Sequence, residues 1–208
     1  MKRLSLKLSR ACLLLGVVLS GCVSLDRSYP EKHYFVLETS RTAKPLDAPA
    51  NVVVEVADMQ ISPRYEGQSF IYRISDGGYE SDFYNQFLIP PAALVTEEVR
   101  RGLAQGGISQ YVISSSTQIQ PSYRLDGTID AIYGDFRSAN TARAVLEIEF
   151  FLTKPAPEAA QVVMVKRYTK SAQLSGRTPE ALVKGWNTAL EEILSDLVSD
   201  LKAANLSP

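Results

Sequence analysis

Two stretches of the chain, 123–133 and 144–152, alternate strictly between apolar and polar residues. Because successive side chains of a strand point to opposite faces, this period predicts two strands of a sheet with one buried and one solvated face. A sheet with one solvated face is typically antiparallel. The residues that we expect on the buried face are Tyr123, Leu125, Gly127, Ile129, Ala131 and Tyr133 in the first stretch and Ala144, Leu146, Ile148, Phe150 and Leu152 in the second.

Shorter apolar or alternating runs predict further strands on either side of these two. Two of the runs, 69–75 and 79–88, flank the turn sequence Asp76-Gly77-Gly78, so we expect them to pair back across that turn. The remaining predicted strands are 34–37, 52–56, 111–113 and 162–169.

The first predicted helix begins at Pro90-Pro91 and ends at Gly106-Gly107, because proline is tolerated in a first helical turn and glycine ends helices. Val95, Val99 and Leu103 recur every four residues and predict its buried side. The residues that we expect on its solvated side are Glu97, Glu98, Arg100 and Arg101.

Thr178-Pro179-Glu180 predicts the start of a second, longer helix, with an N-cap, a proline at the first position and an acid in the first turn. An apolar stripe that includes Trp186 runs along it from Leu182 to Leu201. Its polar side is too acidic for a helix that lies on a membrane, which favours packing on the sheet. The order of elements therefore predicts an α+β fold, a mainly antiparallel sheet with two helices packed on one face.

The N-terminus has the organisation of an export signal, in which basic residues precede a short apolar run. The run ends at Leu19-Ser20-Gly21-Cys22, which resembles the bacterial lipobox, where the cysteine is acylated, with palmitate among the acyl groups, and the signal is cut before it. An ordinary signal with a chance cysteine is the alternative. We predict a lipoprotein signal peptide over 1–21, lipidation at Cys22, a polar tether over 22–33 and one domain over 34–208.

Removal of the predicted signal changes the charge and the cysteine content of the chain. Four of the 22 basic residues are lost and none of the 23 acidic ones, which leaves 18 against 23 and a net charge of −5. An acidic domain has no electrostatic basis for binding nucleic acid or a broad anionic membrane surface. Cys12 lies in the signal and Cys22 is consumed by lipid, so we expect no disulfide and no cysteine-based metal or nucleophile site.

The sequence offers little for catalysis. Its one histidine, His33, lies in the predicted tether, where a catalytic base would not be held rigidly. Glu147 and Glu149 share a strand face, but alternation alone places them there, and a solvated sheet face explains them. We therefore expect no enzymatic activity, no metal and no cofactor.

Aromatic residues and amides are concentrated just before the first helix. The aromatic residues are Tyr79, Phe83, Tyr84 and Phe87, and Asn85 and Gln86 lie among them. Aromatic side chains interleaved with amides are typical of a partner surface or a lined groove. The stretch is therefore a candidate partner surface. A core strand with polar ends explains the same residues equally well.

Several runs together resemble the ABC-type transport auxiliary lipoprotein family of PqiC-like lipoproteins. They are YNQFLIPPAALVTEEVRRGLAQGG, YRLDGTIDAIYGDFR, AVLEIEFFL and TPEALVKGWNTALEEIL. The resemblance implies a non-enzymatic docking or tethering component that accompanies an MCE-domain protein and an ABC permease in moving lipids between the two membranes of a Gram-negative envelope. It also implies assembly of several copies into a ring.

The residue after the predicted lipidated cysteine bears on location. It is Val23 and not the aspartate that lipoprotein sorting reads as an inner-membrane retention signal, so we expect an outer-membrane anchor that faces the periplasm. One alternative is an outer-membrane assembly lipoprotein of the lipopolysaccharide-export type, although an apolar or basic lipid-facing surface would then be expected. The other is a lipoprotein hydrolase, which the lack of a structured histidine disfavours.

Overall fold

Nine β-strands and two α-helices form the part of the chain that the computed structural model describes, residues 31–40, 51–138 and 140–207. The predicted signal peptide and Cys22 lie outside these residues. The strands are β1 (His33–Phe35), β2 (Val53–Val56), β3 (Gln60–Ile61), β4 (Ser69–Arg73), β5 (Tyr79–Phe87), β6 (Tyr111–Ser114), β7 (Tyr123–Asp135), β8 (Arg143–Lys154) and β9 (Gln161–Gln173). The helices are α1 (Pro91–Gly106) and α2 (Pro179–Ala203), and a 3-10 turn (Pro63–Tyr65) precedes β4.

All the predicted strands and both predicted helices are present, with ends shifted by a few residues. The α+β class is therefore confirmed. Strand β3 was not predicted, because two residues are too short to show a period.

Strand β7 is the centre of the sheet, since it is paired on both edges. On one edge it runs antiparallel to β8, which runs antiparallel to β9. On the other edge β2, β3 and β4 pair with it one after another, and all three are parallel to it. Strand β6 extends β2 in parallel, while β5 pairs antiparallel with β4 across the predicted turn and parallel with β1.

The expectation of a mainly antiparallel sheet is therefore wrong, because the sheet is mixed. Alternation of apolar and polar residues shows that one face of a strand is solvated, which favours antiparallel neighbours but does not fix the direction of each one. Short parallel strands along one edge of β7 leave one of its faces solvated, just as antiparallel strands do.

A β-bulge in β7 exchanges the two faces of the strand midway along its length. Up to Ile129 the predicted buried residues face the core. Asp130 is then an extra residue opposite β8, and beyond it Ile132 is buried while Ala131 and Tyr133 are partly exposed. The prediction that Ala131 and Tyr133 lie on the core face is wrong, because one extra residue moves every later side chain to the opposite face.

The helix boundaries follow the predicted signals. Helix α1 ends at Gly106 and is capped by Gly107, whose φ of 64° lies in the left-handed region that glycine adopts without steric cost. Helix α2 begins at Thr178, whose hydroxyl accepts a hydrogen bond from the Ala181 backbone N–H at 3.2 Å. The two helices pack on the sheet and on each other, and Gly102 of α1 leaves room there for the Leu194 side chain of α2.

Glu98 does not lie on the solvated side of α1 as predicted, because it is only 1% exposed. Its Oε2 accepts hydrogen bonds from the backbone N–H and the hydroxyl of Thr39, at 2.9 and 2.7 Å, and its Oε1 forms an ion pair with Arg101 at 2.7 Å. These donors replace the water that a buried carboxylate loses. The contact ties the segment after β1 to α1.

Trp186 lies at the centre of the core and is fully buried, as its place in the apolar stripe predicts. Its ring meets Phe70 of β4 edge-on at 5.0 Å and lies 5.3 Å from Phe87 of β5. Aromatic pairs of this kind contribute about 0.5–1.5 kcal/mol each beyond the burial of apolar area. The three rings join α2 to the hairpin that carries the candidate surface.

Replacing Trp186 by alanine is expected to lower the free energy of unfolding by ~3–5 kcal/mol, because the lost side chain leaves a cavity that the core fills only in part. Chemical denaturation followed by circular dichroism measures the change. The control is Phe83→Ala, which removes an exposed aromatic ring and should change stability by less than about 0.5 kcal/mol. A Trp186→Ala midpoint equal to that of the wild type would show that the ring does not hold the core together.

Candidate functional site

The aromatic residues predicted as a partner surface lie along β5, where they divide between the surface and the core. Tyr79 is 41%, Phe83 64% and Tyr84 40% exposed, whereas Phe87 is 2% exposed and packs against Phe70 at 4.8 Å. The structure therefore removes Phe87 from the candidate surface. The other three residues form two separate features, one on each side of Asp82.

The first feature is a bulge in β5 over residues 82–85. Ser69 pairs with Gln86, and Ile71 pairs with Ser81, so four residues of β5 stand opposite the single residue Phe70. The extra residues have no partner on β4, so the chain bows away from the regular ladder before Asn85, which pairs with His33 of β1. Phe83 and Tyr84 lie in this segment.

Asp82 holds the bulge in one conformation. Its Oδ1 accepts the backbone N–H groups of Tyr84 and Asn85 at 2.8 and 3.0 Å, and its Oδ2 accepts the Asn85 amide at 2.8 Å and the Tyr72 hydroxyl at 2.7 Å. Burial alone would raise the pKa of Asp82, but these hydrogen bonds lower it below its ordinary value. The carboxylate is thus ionised at neutral pH and turned inward as an acceptor for four donors.

The locked bulge presents two aromatic rings to solvent. Phe83 and Tyr84 are perpendicular to each other, with ring centroids 5.2 Å apart. The Gln86 amide donates to the Phe83 carbonyl at 3.2 Å, which fixes the base of the pair, and the Lys32 ammonium lies 4.4 Å from the centre of the Phe83 ring. An ammonium over an aromatic face is attracted by the ring quadrupole. We call Lys32, Phe83 and Tyr84 the aromatic tip.

The second feature is a groove of about 260 Å³ beside Tyr79, which we call the tyrosine groove. Tyr65 stacks on Tyr133 at 6.2 Å, and Tyr79 meets Tyr133 edge-on at 6.1 Å. The Arg73 guanidinium lies 5.9 Å from the centre of the Tyr79 ring. The residues that line the groove are Arg64, Tyr65, Ile71, Tyr79, Glu80 and Ser81.

The buried hydroxyl of the groove, that of Tyr65, is neutral at physiological pH. Burial, together with the Tyr79 hydroxyl next to it, raises the pKa of Tyr65 to about 12. Such a group donates and accepts hydrogen bonds but does not act as a base or a nucleophile near pH 7. The groove therefore has the chemistry of a binding surface, with apolar walls and a few polar groups.

Tyr65 and Tyr133 were not predicted as site residues. Tyr65 lies in the 3-10 turn, which no sequence period marks, and Tyr133 was placed in the core by an alternation that the bulge at Asp130 interrupts. Lys32 was read as part of the tether. No sequence signal marks Lys32, because it is the pairing of β1 with β5 that brings it to the Phe83 ring.

The carboxylates that the sequence places on one sheet face are held in ion pairs. Arg167 contacts Glu147, Glu149 and Asp130 at 3.6, 3.2 and 3.3 Å. His33 is exposed at the start of β1. Within the described ranges, no group of three or more His, Cys, Asp and Glu side chains is arranged to hold a metal ion.

Among the described residues, no helix combines the length and the apolar character needed to cross a bilayer. Cys22, the predicted lipidation site, lies outside the described residues.

Known structures share this fold. The protein XCC0632 from Xanthomonas campestris, of family model DUF330, is 16% identical with a TM-score of 0.69, and the match covers 80% of this chain and 92% of that protein. A second crystal structure, of an uncharacterized protein, is 14% identical with a TM-score of 0.65, covering 82% and 99% of the two chains. At these identities the likeness concerns the fold. No curated protein matches the sequence significantly.

The sequence also matches a family model from residue 35 to residue 198, a range that begins in β1 and ends in α2. The match covers most of the chain, and it includes both helices except for the last residues of α2. The family described by that model is the ABC-type transport auxiliary lipoprotein component, and this chain belongs to it.

Proposed function

We propose that this protein is a lipid-anchored periplasmic component of an MCE/ABC-type system that moves lipids between the two membranes, where it docks or tethers the MCE-domain protein. The observation that carries the proposal is the family match over residues 35–198, which supports an auxiliary role in ABC-type transport. The MCE partner and the assembly of several copies are implied by the sequence resemblance.

The anchor is proposed at Cys22 of the Leu19-Ser20-Gly21-Cys22 sequence. Acylation of one cysteine side chain and of the new amine supplies more than one chain, and each buried methylene contributes about 0.8 kcal/mol to membrane binding. Val23 supports an outer-membrane location. Nine residues lie between Cys22 and Lys32, and the ten steps along the chain reach roughly 36 Å at most, so Lys32 is held within that distance of the proposed anchor.

The tyrosine groove is the surface that we propose for the protein partner. Tyr79 combines substantial exposure with a fixed position, because it is supported by Tyr133 on one side and by Arg73 over its ring. Tyrosine and arginine are enriched at the residues that dominate binding energy in protein interfaces. The groove is concave, so an apolar side chain of the partner can be enclosed there.

Replacing Cys22 by serine is expected to abolish acylation and membrane retention while the domain still folds, because the core comprises residues of the unit that begins at Lys32. Membrane fractionation together with metabolic labelling by a palmitate analogue measures both properties. Ser20→Ala, which keeps a small residue before the cysteine, is the matched control and should remain anchored. Unchanged labelling and retention of Cys22→Ser would refute the anchor.

Tyr79→Ala is expected to weaken binding of the MCE-domain protein from the same operon by about thirtyfold, since truncation of an interface hot spot costs ~2 kcal/mol or more. The dissociation constant can be measured by biolayer interferometry, and thermal melting checks that the variant is folded.

Tyr111→Ala is the matched control for Tyr79→Ala. Tyr111 is likewise an exposed tyrosine, but it lies on β6 at another edge of the sheet. Equal affinities for the two variants would exclude the tyrosine groove as the interface. Failure of the wild type to bind the MCE-domain protein would exclude the assignment to such a system.

A further inference from the structure

We infer that the aromatic tip contacts the bilayer into which the anchor inserts, and so fixes the orientation of the domain on its membrane. This inference rests on the proposed anchor at Cys22. The tip comprises Lys32, Phe83 and Tyr84, and the ligand is the headgroup and acyl boundary of a lipid bilayer.

The tip lies where the chain joins the domain. Lys32 is the first residue of the folded unit, and its ammonium lies over the Phe83 ring at 4.4 Å. The next residue, His33, pairs in register with Asn85, the last residue of the β5 bulge. The end of the domain to which the tether is attached is therefore also the end that carries the exposed rings.

The chemistry of the tip suits the membrane interface. Phenylalanine supplies apolar area, tyrosine combines an apolar ring with a polar hydroxyl, and lysine extends its charge past an apolar stem, which is the combination found at the level of lipid headgroups. Tyr34 and Leu88 are also exposed on the neighbouring β1 and just beyond β5. The Asp82 carboxylate, which headgroup phosphates would repel, is turned inward and bound by four donors.

Because the domain is tethered, a weak contact between the aromatic tip and the bilayer is sufficient to orient it. Because only nine residues join the proposed anchor at Cys22 to Lys32, the domain has an effective concentration of roughly the millimolar range at the anchored surface, and the tip need contribute only modest affinity. Because the mature chain carries a net charge of −5, attraction to anionic lipid cannot supply that affinity. We therefore expect the contact to depend on the aromatic rings and to occur on neutral phosphatidylcholine.

The shape of the tip favours a bilayer over a protein partner. A stable protein interface buries about 800 Å² on each side, which two projecting rings cannot provide. A deformable lipid surface can surround a convex projection, whereas the concave tyrosine groove suits a protein side chain. The rigid support from Asp82 means that the rings are presented without loss of loop entropy on binding.

A depth-sensitive probe on the anchored protein tests this inference. The lipidated mature chain is predicted to have no free thiol, so Phe83→Cys provides a unique site for an environment-sensitive fluorophore. The labelled protein is reconstituted in phosphatidylcholine vesicles with and without a nitroxide-labelled phosphatidylcholine. Val162→Cys is the matched control, because Val162 is exposed to a similar extent, at 59%, but lies on β9, four strands away from β5 along the sheet.

We expect a blue-shifted emission and loss of fluorescence to the nitroxide for the label at position 83, and neither change for the label at position 162. Equal emission and quenching at the two positions would overturn the inference. A label at position 83 that responds to the MCE-domain protein but not to the nitroxide would also overturn it, and would assign the tip to a protein interface.

Fractionation and acyl labelling of the same Phe83→Cys protein separate this inference from the proposed anchor. Protein that is acylated and retained but not quenched at position 83 leaves the anchor intact and excludes bilayer contact by the tip. Protein that is neither acylated nor retained excludes the anchor, and the inference fails with it.

Discussion

The pairing of β7 on both of its edges is the constraint on which the rest of the structure depends. Its antiparallel partner β8 brings in β9, and its other edge aligns β2, β3 and β4 in chain order, each parallel to it. The hairpin of β4 and β5, which carries the candidate surface, is therefore joined to the rest of the sheet through the pairing of β4 with β7. The same hairpin is fixed from the other side by α2, because Trp186 contacts Phe70 and Phe87.

Strand β5 serves the core and the surface with different parts of its length. At its C-terminal end Phe87 is core, while the bulge exposes the rings of Phe83 and Tyr84, and the tyrosine groove lies before the bulge. A bulge interrupts regular pairing, and the backbone N–H groups that it frees need new acceptors. Asp82 provides them for Tyr84 and Asn85, so exposed aromatic rings are held rigidly at low cost.

The sequence predicts the elements well and their pairing poorly, for a physical reason. Periodicity follows solvation, so it located the strands around Leu146 and the helix around Trp186. Pairing direction and bulges depend on partners that are distant in the chain, so the parallel strands and the reversal at Asp130 were not predicted. The aromatic composition of 79–87 indicated a candidate surface. Which residue is buried (Phe87), which is exposed (Phe83) and which lines the groove (Tyr79) depends on the register of β5 on β4, which the sequence does not show.

Buried and exposed aromatic rings on one short hairpin have opposite energetic roles. The rings that contact Trp186 stabilise the fold, whereas Phe83 and Tyr84 leave apolar area in water and so contribute little to it. Exposed apolar rings on a protein surface favour nonspecific association with other molecules, unless a specific partner covers them. In the anchored state that we propose, the domain is attached through the residues that precede Lys32, and the nearest apolar phase would be the anchoring bilayer. Contact there would cover the rings and leave the concave tyrosine groove accessible to a protein partner.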